Sequence, residues 1–188
     1  TLKEIDRFET FVKPYNDLKI DKVALEKTMV SMSDINSGMS LKQFVKTLTA
    51  WWESHRAKTK VKEMGRLVPV GQNVTFDIGF INEALHLEGA GDITDWLYPN
   101  FIDTFPLAKM AWGLTGDEKL NLGANCERAK IRLTDAHGAM NDTEATAELL
   151  RWFMKKMRAK KGGSDSEASE ARVKGQEFFE FKLSLIHI

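Results

Sequence analysis

Two short stretches hold the residues whose types and spacing could do chemistry. In residues 70–80, VGQNVTFDIGF, an apolar run closes at Gly71 and is followed by Asn73 and Asp77. Asn73 sits where a strand hands over to a helix, so its side chain could cap the orphan N–H groups, while Asp77 in the first turn would complement the helix dipole. The functional reading of Asp77 is an active-site carboxylate, because open α/β sheets place their ligands beyond the carboxyl ends of strands. In residues 135–150, DAHGAMNDTEATAELL, His137 stands five positions before Asp142, with the small Gly138 and Ala139 between them allowing close backbone approach. Helix-turn geometry could aim both side chains at one point. The structural alternative is a capping box of Asn141 with Glu144, beside a loop histidine.

These residues need elements to position them. Residues 1–14 alternate in part, with Phe8, Thr10 and Val12 on one face before Pro14, and read as a strand at a sheet edge. From Asn16 to about Ser40 the pattern is loose and rich in Met, Ser and Asp. Leu41, Phe44, Val45, Leu48, Trp51 and Trp52 then recur at helical spacing, which predicts an amphipathic helix with Ser40 as its N-cap. Leu67 to Val70 are enough for one short buried strand, and Phe76, Phe80, Ile81, Ala84 and Leu85 form the apolar stripe expected of the next helix. A second strand-to-helix unit starts at Phe101-Ile102-Asp103-Thr104 and continues through Pro106 to Trp112, with a further helix from Leu120 to Ile131. The longest periodic segment runs from about Ala139 to Lys160, with Leu149, Leu150, Phe153 and Met157 inward and the basic residues largely outward. At Gly162-Gly163 the composition turns to GGSDSEASEA, so an ordered domain of residues 1–161 and a flexible linker and tail of 162–188 are expected.

Composition sets outer bounds. The 188 residues balance 27 Lys+Arg against 27 Asp+Glu, which argues against a uniformly basic nucleic-acid binder but leaves charge gathered on one face open. One cysteine, Cys126, precludes an internal disulfide and any cysteine-based zinc or iron centre. A reducing, cytoplasmic setting without a membrane span is the expectation, since no apolar run reaches the roughly 18 residues needed to cross a bilayer.

Taken together and in this order, the segments resemble the DnaQ-like (DEDDh) 3′→5′ exonucleases of the ribonuclease H-like superfamily. Asn73, Phe76, Asp77 and Phe80 match the family's second motif, and His137, Ala139 and Asp142 match its H-x-A-x-x-D motif, followed by Ala145, Thr146, Leu149 and Leu150. Ile102-Asp103-Thr104 is similar to the family's I/V-D-T segment, and Phe11-Val12-Lys13-Pro14 to the F-V-K-P that ends its third strand. The resemblance spans residues 8 to about 157 and implies an α/β fold with a ribonuclease H-like mixed sheet flanked by helices. One departure stands out. The family's first motif, D-x-E on the central strand, has no counterpart, because the only such spacings are Asp142-Thr143-Glu144 and Asp165-Ser166-Glu167. The expectation is that Thr1 lies inside the domain and the strands carrying D-x-E precede it; the rival is a natural, inactivated relative.

The resemblance implies hydrolysis of nucleotides from 3′ ends of DNA, of the proofreading or repair kind, weak or absent in the chain as it stands. It implies two divalent ions, Mg²⁺ or Mn²⁺, with Asp142 and Asp77 as metal ligands and His137 as general base, its ordinary pKa near 6.5 suiting the task. The implied substrate is a single-stranded or frayed 3′ end of DNA, with RNA not excluded, contacted by Asn73, Phe76 and Phe80. At helical spacing the two phenylalanines read as core more readily than as base-stacking residues. Basic clusters at 56–66 and 151–161 could track phosphates, although such runs are commonly solvated helix faces. Leu183-Ser184-Leu185 faintly resembles a sliding-clamp peptide, which with a replication polymerase completes the partner expectations; SLIHI also resembles translated adaptor sequence, and an extra strand or a disordered tail is the third reading. The alternative from another class is a noncatalytic nucleic-acid-binding or interaction module on the same fold.

Overall fold

The computed structural model of the chain describes residues 3–16, 20–28, 30–58, 66–114, 118–133, 138–160 and 182–187. Strand β1 (Lys3–Glu9) is followed by three helices, α1 (Lys22–Thr28), α2 (Met32–Ser37) and α3 (Leu41–Lys58). Two strand-to-helix units come next: β2 (Val70–Gly71) with α4 (Val74–Leu87), then β3 (Ile102–Asp103) with α5 (Thr104–Trp112). Helices α6 (Leu122–Ala129) and α7 (Ala139–Lys160) precede a last strand, β4 (Lys182–His187). The expected α/β class holds, and both ladders among the described residues, β1 with β4 and β2 with β3, are parallel.

β1 ends sooner than residues 1–14 led one to expect. Beyond Glu9 the backbone leaves β4 and exchanges hydrogen bonds with the loop at Met39, Met39 N–H donating to the Phe11 carbonyl and Lys13 N–H to the Met39 carbonyl, each at 2.8 Å. The alternation itself is observed, since Phe8, Thr10 and Val12 are half-buried while Glu9 and Phe11 are exposed. The loose segment before Ser40 contains α1 and α2, helices that its pattern did not announce. α2 starts at a reciprocal capping box, Ser31 Oγ accepting from Asp34 N–H and the Asp34 carboxylate accepting from Ser31 N–H. Ser40 does cap α3 as expected, accepting from Gln43 N–H at 3.3 Å while Gln43 Oε1 accepts from Ser40 N–H at 3.1 Å.

Three apolar clusters hold the elements together. Phe44, Val45, Leu48 and Trp52 of α3 pack with Ile81, Ala84 and Leu85 of α4, and Phe8 of β1 lies against this cluster. Asp6 of β1 adds a polar tie to α3, its Oδ2 accepting from Trp51 Nε1 at 3.0 Å and lying 2.9 Å from Nε2 of the buried His55. On α7, adjacent leucines face two different clusters. Leu150 joins Met140 and Ala147 against Val70 and Ile102 of the β2–β3 pair, whereas Leu149 joins Phe153 against Ala108 of α5 and Ala129 of α6. α7 is therefore a wedge between the strand pair and the α5–α6 layer.

Three expected inward positions are corrected. Met157 is 52% exposed, because by the last turns α7 has run past its partners. Phe76 and Phe80 are each 62% exposed. At about 100° per residue, Val74, Ile81, Ala84 and Leu85 cluster on one face of α4, while Phe76 and Phe80 share a flank roughly 100–140° away. The two rings meet each other edge-on, with centroids 4.8 Å apart.

Candidate active site

The site is built where β2 and β3 run out. Each strand turns directly into a helix, so the residues that begin α4 and α5 share one end of the strand pair. Asn73 stands in the first of these turns with φ 59° and ψ 42°, the left-handed region that Asn tolerates better than most residues. The expected side-chain cap is absent, since left-handed backbone at this position takes the side chain away from the first-turn N–H groups. Instead the Asn73 backbone N–H donates to Asp103 Oδ1 at 3.0 Å, and Phe105 N–H donates to the same oxygen at 2.8 Å. Asp103 thus caps α5 and grips the neighbouring turn with one oxygen.

Asp77 lies in the first turn of α4, as expected. The residue is exposed overall, yet desolvation by the surrounding protein raises its carboxyl above the ordinary aspartate value. Its own backbone N–H opposes that rise, and the nearby charge of Asp103 adds to it. Asp142 lies in the first turn of α7, half-buried, its N–H donating to the Gly138 carbonyl at 2.9 Å. Its charge, after burial, pushes up the thiol of Cys126 on α6. The capping box weighed as the structural alternative has no helix start at Asn141 to cap, because α7 begins at Ala139 and Asn141 is already inside it. Glu144 serves another contact, pairing with Arg7 of β1. His137 lies outside the described residues.

Packing brings α7 to the same strand pair. Met140, two residues before Asp142, belongs to the cluster that includes Val70 of β2 and Ile102 of β3. Asp77 and Asp103 stand at the starts of α4 and α5, and Asp142 stands in the first turn of α7. Among the described residues no three of His, Cys, Asp and Glu gather closely enough to hold a metal ion. The donors available are hard oxygens without a sulfur or imidazole cluster, which suits magnesium or manganese better than zinc, and magnesium commonly takes only one or two carboxylates beside substrate phosphates and water.

A sequence profile of the RNase_T exonuclease family matches residues 1–150, across β1, both strand-to-helix units and the first half of α7. The chain belongs to that exonuclease family. Within it this DnaQ-like, ribonuclease H-like exonuclease domain is similar to PolC-type DNA polymerase III from Bacillus cereus, at 28% identity over 151 residues, and from Clostridium perfringens, at 29% over 154. The protein of that name from Staphylococcus epidermidis is 30% identical over 155 residues. These alignments take in 80% to 82% of the chain but 9% of each polymerase. No helix of the exonuclease domain among the described residues is long and apolar enough to cross a membrane.

Asp103 is the residue at this strand end whose structural part the sequence reading missed. The Ile102-Asp103-Thr104 match was visible, but its bond to Asn73 joins residues 30 positions apart and leaves no local signal. Of the two basic clusters, residues 59–65 and 161 fall outside the described set. Arg56 within the first donates to the Asp95 carbonyl at 2.9 Å, and Arg151 within the second pairs with Glu148. Such paired arginines are partly committed to the protein itself.

Proposed function

We propose that this exonuclease domain removes nucleotides from 3′ ends of single-stranded or frayed DNA, in a replication or repair setting. The observation that carries the reading is the packing of α7 on the β2–β3 pair, which sets the turn of Asp142 at the same strand pair whose ends lead into Asp77. In this reading Asp77 and Asp142 supply carboxylate oxygens to Mg²⁺ or Mn²⁺, and the cation would offset the charge that builds on the phosphoryl oxygens. His137 is assigned the water proton by its motif position. The exposed Phe76–Phe80 pair offers ring faces to the terminal bases, with Asn73 beside the sugar–phosphate backbone. The polymerase context is carried over from the PolC-type relatives.

The test uses a 5′-labelled single-stranded DNA with Mg²⁺ or Mn²⁺. Weak shortening from the 3′ end, or none, is expected of the chain as it stands, and Asp142→Asn or Asp77→Asn is expected to lower any shortening on the order of 10²-fold or more. Phe76→Ala with Phe80→Ala is expected to weaken oligonucleotide binding by about 1–3 kcal/mol per lost stack while leaving the fold intact. A chain that binds the oligonucleotide but neither shortens it nor binds Mn²⁺ would establish instead the noncatalytic nucleic-acid-binding module. That second reading draws on the lack of a three-ligand group among the described residues.

A further inference from the structure

The turn that delivers Asp77 is held by a polar assembly that the sequence does not advertise. Asp103 Oδ1 accepts the N–H of Asn73 and of Phe105 at 3.0 and 2.8 Å. Beneath it Thr104 is fully buried, its hydroxyl 2.9 Å from Gln72 Oε1 and 3.2 Å from the Gly71 carbonyl, to one of which it donates. Gln72 Nε2 donates onward to the Leu120 carbonyl at 2.6 Å, which also accepts from Nδ2 of the buried Asn125 at 2.9 Å. The β2–α4 turn is therefore fastened on two sides. Residue 72 is tied into the α5–α6 layer, and residue 73, in its left-handed conformation, is tied to β3.

An ordinary N-cap would not do this. Capping α5 requires only the bond to Phe105, which Ser, Thr or Asn could make. The bond to Asn73 reaches across the ladder to the residue that fixes the entry angle of α4, four positions before Asp77. A bond to a charged acceptor is about twice as strong as a neutral one, and left-handed backbone at a non-glycine residue persists only where its surroundings impose it. We propose that Asp103 is a positioning residue that clamps the Asn73 turn and so sets the direction in which α4 presents Asp77 and the Phe76–Phe80 pair. Its consequence for catalysis rests on the exonuclease reading above; the clamp itself does not.

The experiment compares the full chain with Asp103→Asn, Asp103→Ser and Asp103→Ala, reading amide hydrogen exchange by NMR and oligonucleotide shortening in parallel. Ser is a good cap but one bond shorter, so Asp103→Ser should keep Phe105 N–H protected while exchange at Asn73 N–H rises about tenfold or more, as expected on losing a charge-assisted bond. Asp103→Ala should release both amides while Leu85 and Leu149 stay protected in the core. Asp103→Asn retains an acceptor oxygen and should restore most of the protection at Asn73. Shortening of DNA should follow Asn73 rather than Phe105, with kcat falling on the order of 10²-fold in Asp103→Ser at nearly constant KM and recovering in Asp103→Asn. Unchanged exchange at Asn73 in Asp103→Ser overturns the clamp, whether or not DNA is cleaved. Faster exchange at Asn73 in a series whose wild type neither shortens DNA nor binds Mn²⁺ upholds the clamp and overturns the exonuclease reading instead.

Discussion

Asp77 carries a carboxyl whose pKa the fold raises above the ordinary aspartate value. Desolvation first, then the charge of Asp103, raises its carboxyl pKa, so the folded protein holds the proton more tightly than the unfolded chain does. The sign follows: this group's contribution to stability is greatest below the unfolded value near 3.9 and is lost as pH rises through the folded value. Asp77→Asn should therefore raise the melting temperature at pH 7 by about 1 °C or more, with no gain at pH 3. Melting curves of the two proteins at both pH values check this, and a lower melting point for the variant at pH 7 would refute it. At this scale the sequence shows residue types and spacing but not phase or conformation. Asn73 is suited both to capping and to left-handed backbone, and the choice between them is made by Asp103, 30 residues away. Phe76 and Phe80 have helical spacing, yet the five apolar residues of that stripe span about half the helix circumference, and only α3 packing on α4 decides which of them are covered.

Elements with local signals were legible; those that depend on a distant backbone were not. The Ser40 cap and the span of α7 follow from residues within one turn, whereas β1 stops at Glu9, opposite the last residue of β4, and the backbone beyond it bonds the loop at Met39 instead. That pairing puts Gly38 under a close constraint. A Cβ there would stand 2.5 Å from the Phe11 carbonyl oxygen, so Gly38→Ala must push two backbone segments apart, at a cost of about 1–3 kcal/mol. Gly79, midway along the exposed side of α4, would meet nothing within 4 Å, and Gly79→Ala should stabilise the helix by about 0.5–1 kcal/mol. Chemical denaturation of the two variants should give opposite signs. Destabilisation by Gly79→Ala would mean that this flank of α4 is covered in solution.

The whole molecule was legible as a class because two strand-to-helix units and a long final helix recur in the order the family uses, and 1–150 bears that out. What the sequence could not supply is how separate segments meet: Arg7 with Glu144, Leu150 with the strand pair, and β1 with β4. The last of these has a kinetic consequence. Its register pairs Lys3 with Lys182 and Glu9 with His187, joining opposite extremes of the described chain, whereas α3, α4 and α7 are stabilised by hydrogen bonds four residues apart. Loop closure must come before such a ladder can contribute, so it should form after the helices and reopen before them. Native-state exchange should then show β1 amides opening at far lower free energy than those of α3. If β1 amides open only with global unfolding, the ladder is part of the cooperative core. The β1–β4 seam therefore sets a hierarchy of opening events, in which the sheet edge can come apart and reseal many times while the wedge of α7, and the carboxylate it carries, stays in place.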